Sequence, residues 1–131
     1  MEILGVIRDF AAVSSESENI PTVPAQVTMK LLERSGMTVE QLDLLEINEA
    51  FAAMPLVSAR VLAGEDETLY RSVLEKTNVN GGAIAIGHPM GATGLRLIMT
   101  LMGELRRRGG GVGVACLCGG LAQGDGVLIE V

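Results

Sequence analysis

The chain has 131 residues, of which 48% are hydrophobic but only three are aromatic, and its net charge is −6. This length allows one well-packed domain and excludes two, so residues 1–131 are predicted to form a single domain. The acidic balance excludes nucleic acid and an anionic membrane surface as partners, since neither attracts a negatively charged protein. So much apolar character in a small chain also indicates a face that another protein covers.

The two cysteines indicate a reducing compartment rather than a disulfide or a metal site. Cys116 and Cys118 alternate along one predicted strand, where cysteines rarely bridge, and with a single distant histidine they make a poor zinc set. The sequence has no signal peptide and no apolar run long enough to cross a bilayer. We therefore expect a cytoplasmic protein with no metal and no bound cofactor.

The first half of the chain is predicted to alternate between strands and helices. Residues 2–13 have strand character, and Pro24 opens a helix. Residues 42–47 form a short apolar run that is typical of a buried strand. A second helix follows Asn48, with a bend expected at Pro55.

The second half begins with residues 64–70, which are acidic and turn-like and therefore predict a surface insertion. Residues 78–79 are predicted to form a third short strand. The helix over 95–105 carries only one narrow polar stripe, which indicates burial nearly all round. Residues 111–118 and 125–131 are predicted to be two strands joined as a hairpin.

The predicted element order is β-α-β-α-β-α-β-β, which favours an α/β fold. We expect a five-stranded mixed sheet that is mainly parallel, with helices on both faces. One antiparallel strand is expected to close its edge.

The chain's only histidine lies in its most informative segment, NGGAIAIGHPMGATGLR at 80–96. His88 occupies a glycine-rich turn at the start of an apolar helix, where the first backbone N–H groups lack helical partners and carry partial positive charge. A lone histidine is commonly a structural residue. This position would also suit a residue that stabilises a thiolate or an oxyanion.

Cys118 is the second candidate, because a predicted strand gives way there to Gly119 and Gly120. A thiol beside free backbone amides could exchange a proton near neutral pH. A free cysteine is more commonly a small buried apolar side chain. Cys116 lies one pleat further inside the strand and is predicted to be structural.

Asn48 is the third candidate, at the start of NEAF between a predicted strand and a predicted helix. One interpretation is a helix cap. The other is a side-chain amide that holds a water molecule in an active site. The local sequence does not decide between them.

Three segments resemble, in the same order, motifs of the thiolase family, the acetyl-CoA acetyltransferases and 3-ketoacyl-CoA thiolases. They are NEAFAA, NVNGGAIAIGHPMGATGLR and GVACLCGGLAQGDGVLIE. The second is highly specific, the first moderately so, and the resemblance extends over essentially the whole chain. It implies the fold of the C-terminal half of a thiolase.

The resemblance also implies roles for four residues. Asn48 would hold a catalytic water that forms one oxyanion hole with His88, and His88 would also activate the nucleophilic cysteine. Cys118 would be the acid/base that moves a proton to and from the substrate α-carbon. Gly120 would offer its backbone N–H to a second oxyanion hole. Asn rather than His at position 48 differs from the sterol-carrier type of thiolase, and the C-terminal cysteine differs from the ketoacyl-carrier-protein synthases.

Two local features depart from the family pattern. The family's reactive cysteine is usually followed by x-G-G-G, whereas Cys118 is followed by GGLAQGDG. Aligning Cys116 instead would require extra residues before the closing strand, so Cys118 is preferred. The stretch between Phe51 and Asn78 is also longer than in the family, consistent with a surface insertion.

The larger departure is that this sequence does not contain the family's nucleophilic cysteine. That cysteine and the CoA-binding loop region belong to the first half of a thiolase. Because this chain begins with Met1 at the second half, we expect a small subunit of a split thiolase. With a larger subunit carrying the first half, in a hetero-oligomer, it would catalyse thiolysis of 3-ketoacyl-CoA or Claisen condensation of acyl-CoA. CoA and acyl-CoA would be substrates. The alternatives are a non-catalytic scaffold or regulatory module and a domain cut from a full-length thiolase.

Overall fold

The computed structural model describes residues 2–131. The strands are β1 (Val6–Ser14), β2 (Leu44–Ile47), β3 (Val112–Gly119) and β4 (Gln123–Glu130). The α-helices are α1 (Val23–Ser35), α2 (Ala53–Ala63), α3 (Glu67–Glu75), α4 (Ala83–Ile86) and α5 (Met90–Arg108). Two 3-10 helices cover Ser17–Thr22 and Val39–Gln41.

The four strands form one mixed sheet in the order β1-β4-β3-β2. β2 and β3 are parallel, whereas β4 is antiparallel to both of its neighbours. The predicted mixed α/β sheet is confirmed, but the expectation of a mainly parallel sheet is wrong. The reason is that β1 pairs with β4, the last strand of the C-terminal hairpin. The antiparallel strand β4 therefore lies inside the sheet and not at its edge.

The predicted fifth strand at 78–79 is also wrong, and a side chain explains why. Thr77 makes a single parallel bridge with Leu45. Asn78 then adopts a φ of 49°, which ends the extended backbone. Its side-chain amide accepts from the Ile47 N–H at 2.8 Å and donates to the Ile47 carbonyl at 2.9 Å. The Asn78 side chain thus replaces the next pair of strand hydrogen bonds.

The acidic segment at 64–70 does not remain a turn. The Asp66 carboxylate caps α3 by accepting the Leu69 N–H at 2.9 Å, and the helix begins at the next residue after Asp66. Val73 on this helix is fully buried. The segment therefore adds a packed helix to the domain rather than a surface loop.

The predicted helices on both faces of the sheet are confirmed by two separate apolar cores. Helices α1, α2 and α3 pack on one face, with Leu31, Leu45 and Ile47 at the centre of their cluster. Helix α5 packs on the other face. The buried members of the second cluster are Leu44, Leu97, Leu101, Leu105, Ala115 and Ile129.

The α5 side of the domain carries an open apolar face, defined by Ile7, Phe10, Leu95 and Met99. These side chains are 57%, 74%, 64% and 59% exposed, respectively. Ile7 and Phe10 pair with β4 residues of the α5 core, which places them on this side of the sheet. The expected burial of α5 nearly all round is therefore wrong for this chain by itself. No helix within residues 2–131 has the length and apolar character needed to cross a membrane.

Candidate active site

The carboxyl ends of β2 and β3 bring two candidate residues to one edge of the sheet. The strands are parallel neighbours, with Ile47 opposite Cys116. The Asn48 N–H donates to the Cys116 carbonyl at 3.0 Å, which extends the pairing by one residue. Cys118 lies two residues further along β3. Loops at the carboxyl ends of parallel strands are the usual place for a binding site in α/β folds.

Asn48 contacts His88 directly and does not cap a helix. Its Nδ2 lies 3.4 Å from Nε2 of His88. Helix α2 has Ala52 as its N-cap residue, without a side-chain cap bond, so the cap interpretation is wrong. The Asn48 side chain is fully buried, and its Oδ1 has no hydrogen-bond partner within residues 2–131. A buried acceptor of this kind is suited to a water molecule or a ligand.

A buried threonine orients the imidazole ring of His88. Nδ1 of His88 lies 2.7 Å from Oγ1 of Thr93, and this hydroxyl donates to the Pro89 carbonyl at 3.1 Å. Because the hydroxyl hydrogen is used on Pro89, Oγ1 accepts the Nδ1–H of the ring. Nε2 then carries the lone pair and accepts from Asn48. Sequence analysis missed Thr93, although it lies in the same motif, in the first turn of α5.

The two cysteines occupy different environments. Cys116 is fully buried, and burial raises the pKa of its thiol to about 12. Cys118 is only partly buried, and burial raises its pKa as well. No hydrogen bond joins Cys118 to Asn48 or His88 in the part of the chain that the structure describes. Cys118 thus lies at the same end of the sheet as Asn48, without a hydrogen bond to either side chain in residues 2–131.

The turn between β3 and β4 leaves the backbone around Gly120 accessible. A Cβ added to Gly120 would meet no atom within 4 Å. Leu121 and Ala122 follow it with φ of 58° and 55°, a left-handed conformation that glycine adopts more easily. Gly120 thus lies in an exposed turn with open space beside its Cα.

Comparison with known proteins matches this chain to a single family. Residues 1–131 match the family described as "Thiolase, C-terminal domain". The acetyl-CoA acetyltransferase of Chromobacterium violaceum is 44% identical over 97% of this chain and 30% of the relative. The 3-ketoacyl-CoA thiolase of Alcanivorax borkumensis is 40% identical over 95% of this chain and 30% of its own length.

Solved structures give the same result. The acetyl-CoA acetyltransferase of Bacillus anthracis superimposes with a TM-score of 0.86 at 38% identity, covering 99% of this chain and 31% of that one. The Acat5 thiolase from Ascaris suum, in complex with coenzyme A, also gives 0.86, at 32% identity, covering 99% of this chain and 31% of that one. The chain therefore spans less than a third of the length of these proteins.

Proposed function

The chain belongs to the thiolase family, and we propose that it supplies the C-terminal half of a thiolase active site. With the rest of a thiolase, carried by a separate larger chain, it catalyses thiolysis of a 3-ketoacyl-CoA or the reverse Claisen condensation of two acyl-CoA molecules. The observation that carries the proposal is the contact between buried Asn48 and exposed His88, at the end of the sheet where β3 carries Cys118.

The Asn48–His88 pair performs two steps. Nε2 of His88 holds a lone pair, because Thr93 accepts the hydrogen on Nδ1. It exchanges its 3.4 Å contact with Asn48 for the proton of the larger chain's nucleophilic cysteine. Asn48 Oδ1 has a free acceptor site. It binds a water molecule that, with His88, donates to the thioester oxygen as negative charge develops there.

Cys118 and Gly120 act on the other fragment of the substrate. When the bond between the α- and β-carbons breaks, its electron pair passes to the departing acetyl-CoA as an enolate. The Gly120 N–H stabilises the enolate oxygen, and the Cys118 thiol protonates the α-carbon. A raised pKa keeps this thiol protonated at neutral pH. The Cys118 thiolate then takes the thiol proton of CoA, whose sulfur attacks the acyl group. The nucleophilic cysteine leaves as a thiolate and recovers its proton from His88. In the synthetic direction Cys118 removes the α-carbon proton instead.

The open apolar face supports a larger partner chain. Phe10 and Met99 are more than half exposed on this face, and the relatives contain more than twice as much chain beyond the matched region. We place the remaining thiolase half against this face, in a hetero-oligomer located in the cytoplasm. The partner also supplies most of the CoA-binding surface, which makes the acidic charge of this chain compatible with an anionic substrate. CoA and acyl-CoA serve as substrates, with no further cofactor and no metal.

The test is purification of the tagged chain from its source cells, with peptide sequencing of what accompanies it and an assay of acetoacetyl-CoA thiolysis. His88→Ala and Cys118→Ala should each lower turnover by at least about 10²-fold, with the larger chain still bound. Cys116→Ala is the matched control and should retain activity. Normal turnover in Cys118→Ala would refute its assignment. An unaccompanied chain without thiolysis would favour the scaffold or the excised-domain alternative.

A further inference from the structure

Glu49, the second residue of NEAF, connects the end of β2 to the segment that leads to His88. Its Oε1 accepts from Nδ2 of Asn78 at 3.0 Å. Its Oε2 accepts the backbone N–H of Ile84, in α4, also at 3.0 Å. One carboxylate thus binds two points of the loop between Asn78 and His88.

The first of these two points is itself fixed to the sheet. Asn78 accepts the Ile47 N–H and donates to the Ile47 carbonyl. An amide nitrogen has two hydrogens, so Asn78 Nδ2 uses one on Ile47 and the other on Glu49. The Glu49 carboxylate is therefore held in place by the same side chain that ends the strand pairing.

Gly82 shows that the carboxylate occupies a space kept free for it. A Cβ at this position would lie 2.5 Å from the Glu49 Cδ and Oε2 atoms. The backbone of Gly82 has φ −135° and ψ −156°, which residues other than glycine also adopt. A side chain at position 82 would therefore displace the Glu49 carboxylate without straining the backbone.

We propose that Glu49 is a positioning residue that holds the His88 segment against Asn48. Ile84 lies four residues before His88, in the short helix α4, which ends next to the turn that carries the imidazole. A shift of the Ile84 N–H therefore moves this turn. The Asn48–His88 contact is already long, at 3.4 Å. A small displacement of the segment therefore breaks it. The consequence for catalysis, though not for the geometry, rests on the proposed function.

The geometric part can be tested directly because His88 is the only histidine in the chain. With ¹⁵N-labelled histidine, the NMR spectrum of the wild-type ring should show a single tautomer with its hydrogen on Nδ1. Glu49→Gln turns an N–H toward the Asn78 or Ile84 donor. Gly82→Ala displaces the carboxylate without altering charge. Both variants should shift the ring resonances toward a mixture of tautomers.

Glu67→Gln is the matched control, since it also removes one carboxylate, from an exposed ion pair with Arg60. It should leave the ring spectrum unchanged. Thermal unfolding of every variant shows whether it is folded at the NMR temperature. Folded Glu49→Gln and Gly82→Ala with wild-type ring spectra would overturn the proposal. Loss of folding in both would assign Glu49 a structural role only and would overturn it too.

The catalytic part is tested in the complex with the larger chain, by acetoacetyl-CoA thiolysis. We expect kcat to fall about 10- to 100-fold in Glu49→Gln and in Gly82→Ala, with KM changed less than about threefold, because misplaced groups lose transition-state interactions. A loss of kcat only in proportion to the unfolded fraction would overturn positioning. A wild-type complex without thiolysis would refute the proposed function, while the NMR result would still decide the role of Glu49.

Discussion

The pair formed by Glu46 and Arg96 predicts that the contribution of Glu46 to stability falls as the pH rises. Glu46 lies on β2 beneath α5, with 4% of its side chain exposed, and its Oε2 is 3.3 Å from Nη1 of Arg96. Nη2 of Arg96 is buried without a partner in residues 2–131. Burial raises the pKa of Glu46 from 4.5 to about 7, against the opposing effect of Arg96. The single, long contact with Arg96 does not offset the loss of solvation.

The magnitude follows from the difference between the folded and unfolded pKa values of Glu46. The pKa of Glu46 rises from 4.5 in the unfolded chain to about 7 in the folded chain. At about 1.4 kcal/mol for each pKa unit, this rise changes the free energy of unfolding by about 3 kcal/mol. Its sign follows from the raised value, since the folded state binds the proton more tightly than the unfolded state. The contribution is fully present below pH 4.5 and is lost as the pH rises through about 7.

Urea unfolding of the wild type and Glu46→Gln measures this effect, because glutamine does not titrate. The free energy of unfolding of the wild type, minus that of the variant, should fall by about 3 kcal/mol between about pH 4 and about pH 8. Glu67→Gln, which alters an exposed ion pair, should give a difference that does not fall over this range, since hydrogen bonds from Arg60 and Arg71 lower the pKa of Glu67. A Glu46→Gln difference that stays constant within about 1 kcal/mol would show that the carboxylate is solvated and refute the reasoning.

Three further predictions concern packing, backbone strain and thiol chemistry. Gly113→Ala should lower the free energy of unfolding by about 1–3 kcal/mol, because its Cβ would lie 2.7 Å from Leu101 Cδ1; an unchanged melting temperature would contradict this. Leu121→Gly should raise stability by up to about 1 kcal/mol, because Leu121 is 80% exposed and has a φ of 58°; a destabilised variant would show that the side chain packs. Iodoacetamide should modify Cys118 in the folded chain and Cys116 only after unfolding, since Cys116 is fully buried. Peptide mass spectrometry would detect a contrary pattern.

The sequence predicted those parts of the fold that depend on local patterns. The β2 strand, the C-terminal hairpin and the long apolar helix have periodicities that a short window contains. The direction of the sheet depends instead on where β1 pairs, more than 100 residues away from its partner β4 in the sequence. The fifth strand is missing because of Asn78, whose side chain makes the two hydrogen bonds with Ile47 that a strand backbone would otherwise make. Neither fact leaves a local signal.

The candidate site divides in the same way. Asn48 and His88 stand out in the sequence because of their motifs, and the structure brings their side chains together. Thr93 and Glu49 lie in the same motifs, but their roles depend on distances between segments of the chain. The Glu49 carboxylate reaches a backbone N–H 35 residues later. Only coordinates reveal such a contact, so sequence reasoning finds the reacting groups more readily than the groups that position them.

Helix α5 connects the candidate site with the open apolar face. Thr93, which orients His88, is buried on this helix, and Leu95, only two residues later, is 64% exposed. Met99 on the same face lies about 9 Å further along the helix axis than Thr93, at about 1.5 Å per residue. Leu95 and Met99 therefore lie within two helical turns, measured along the axis of α5, of the residue that orients the imidazole.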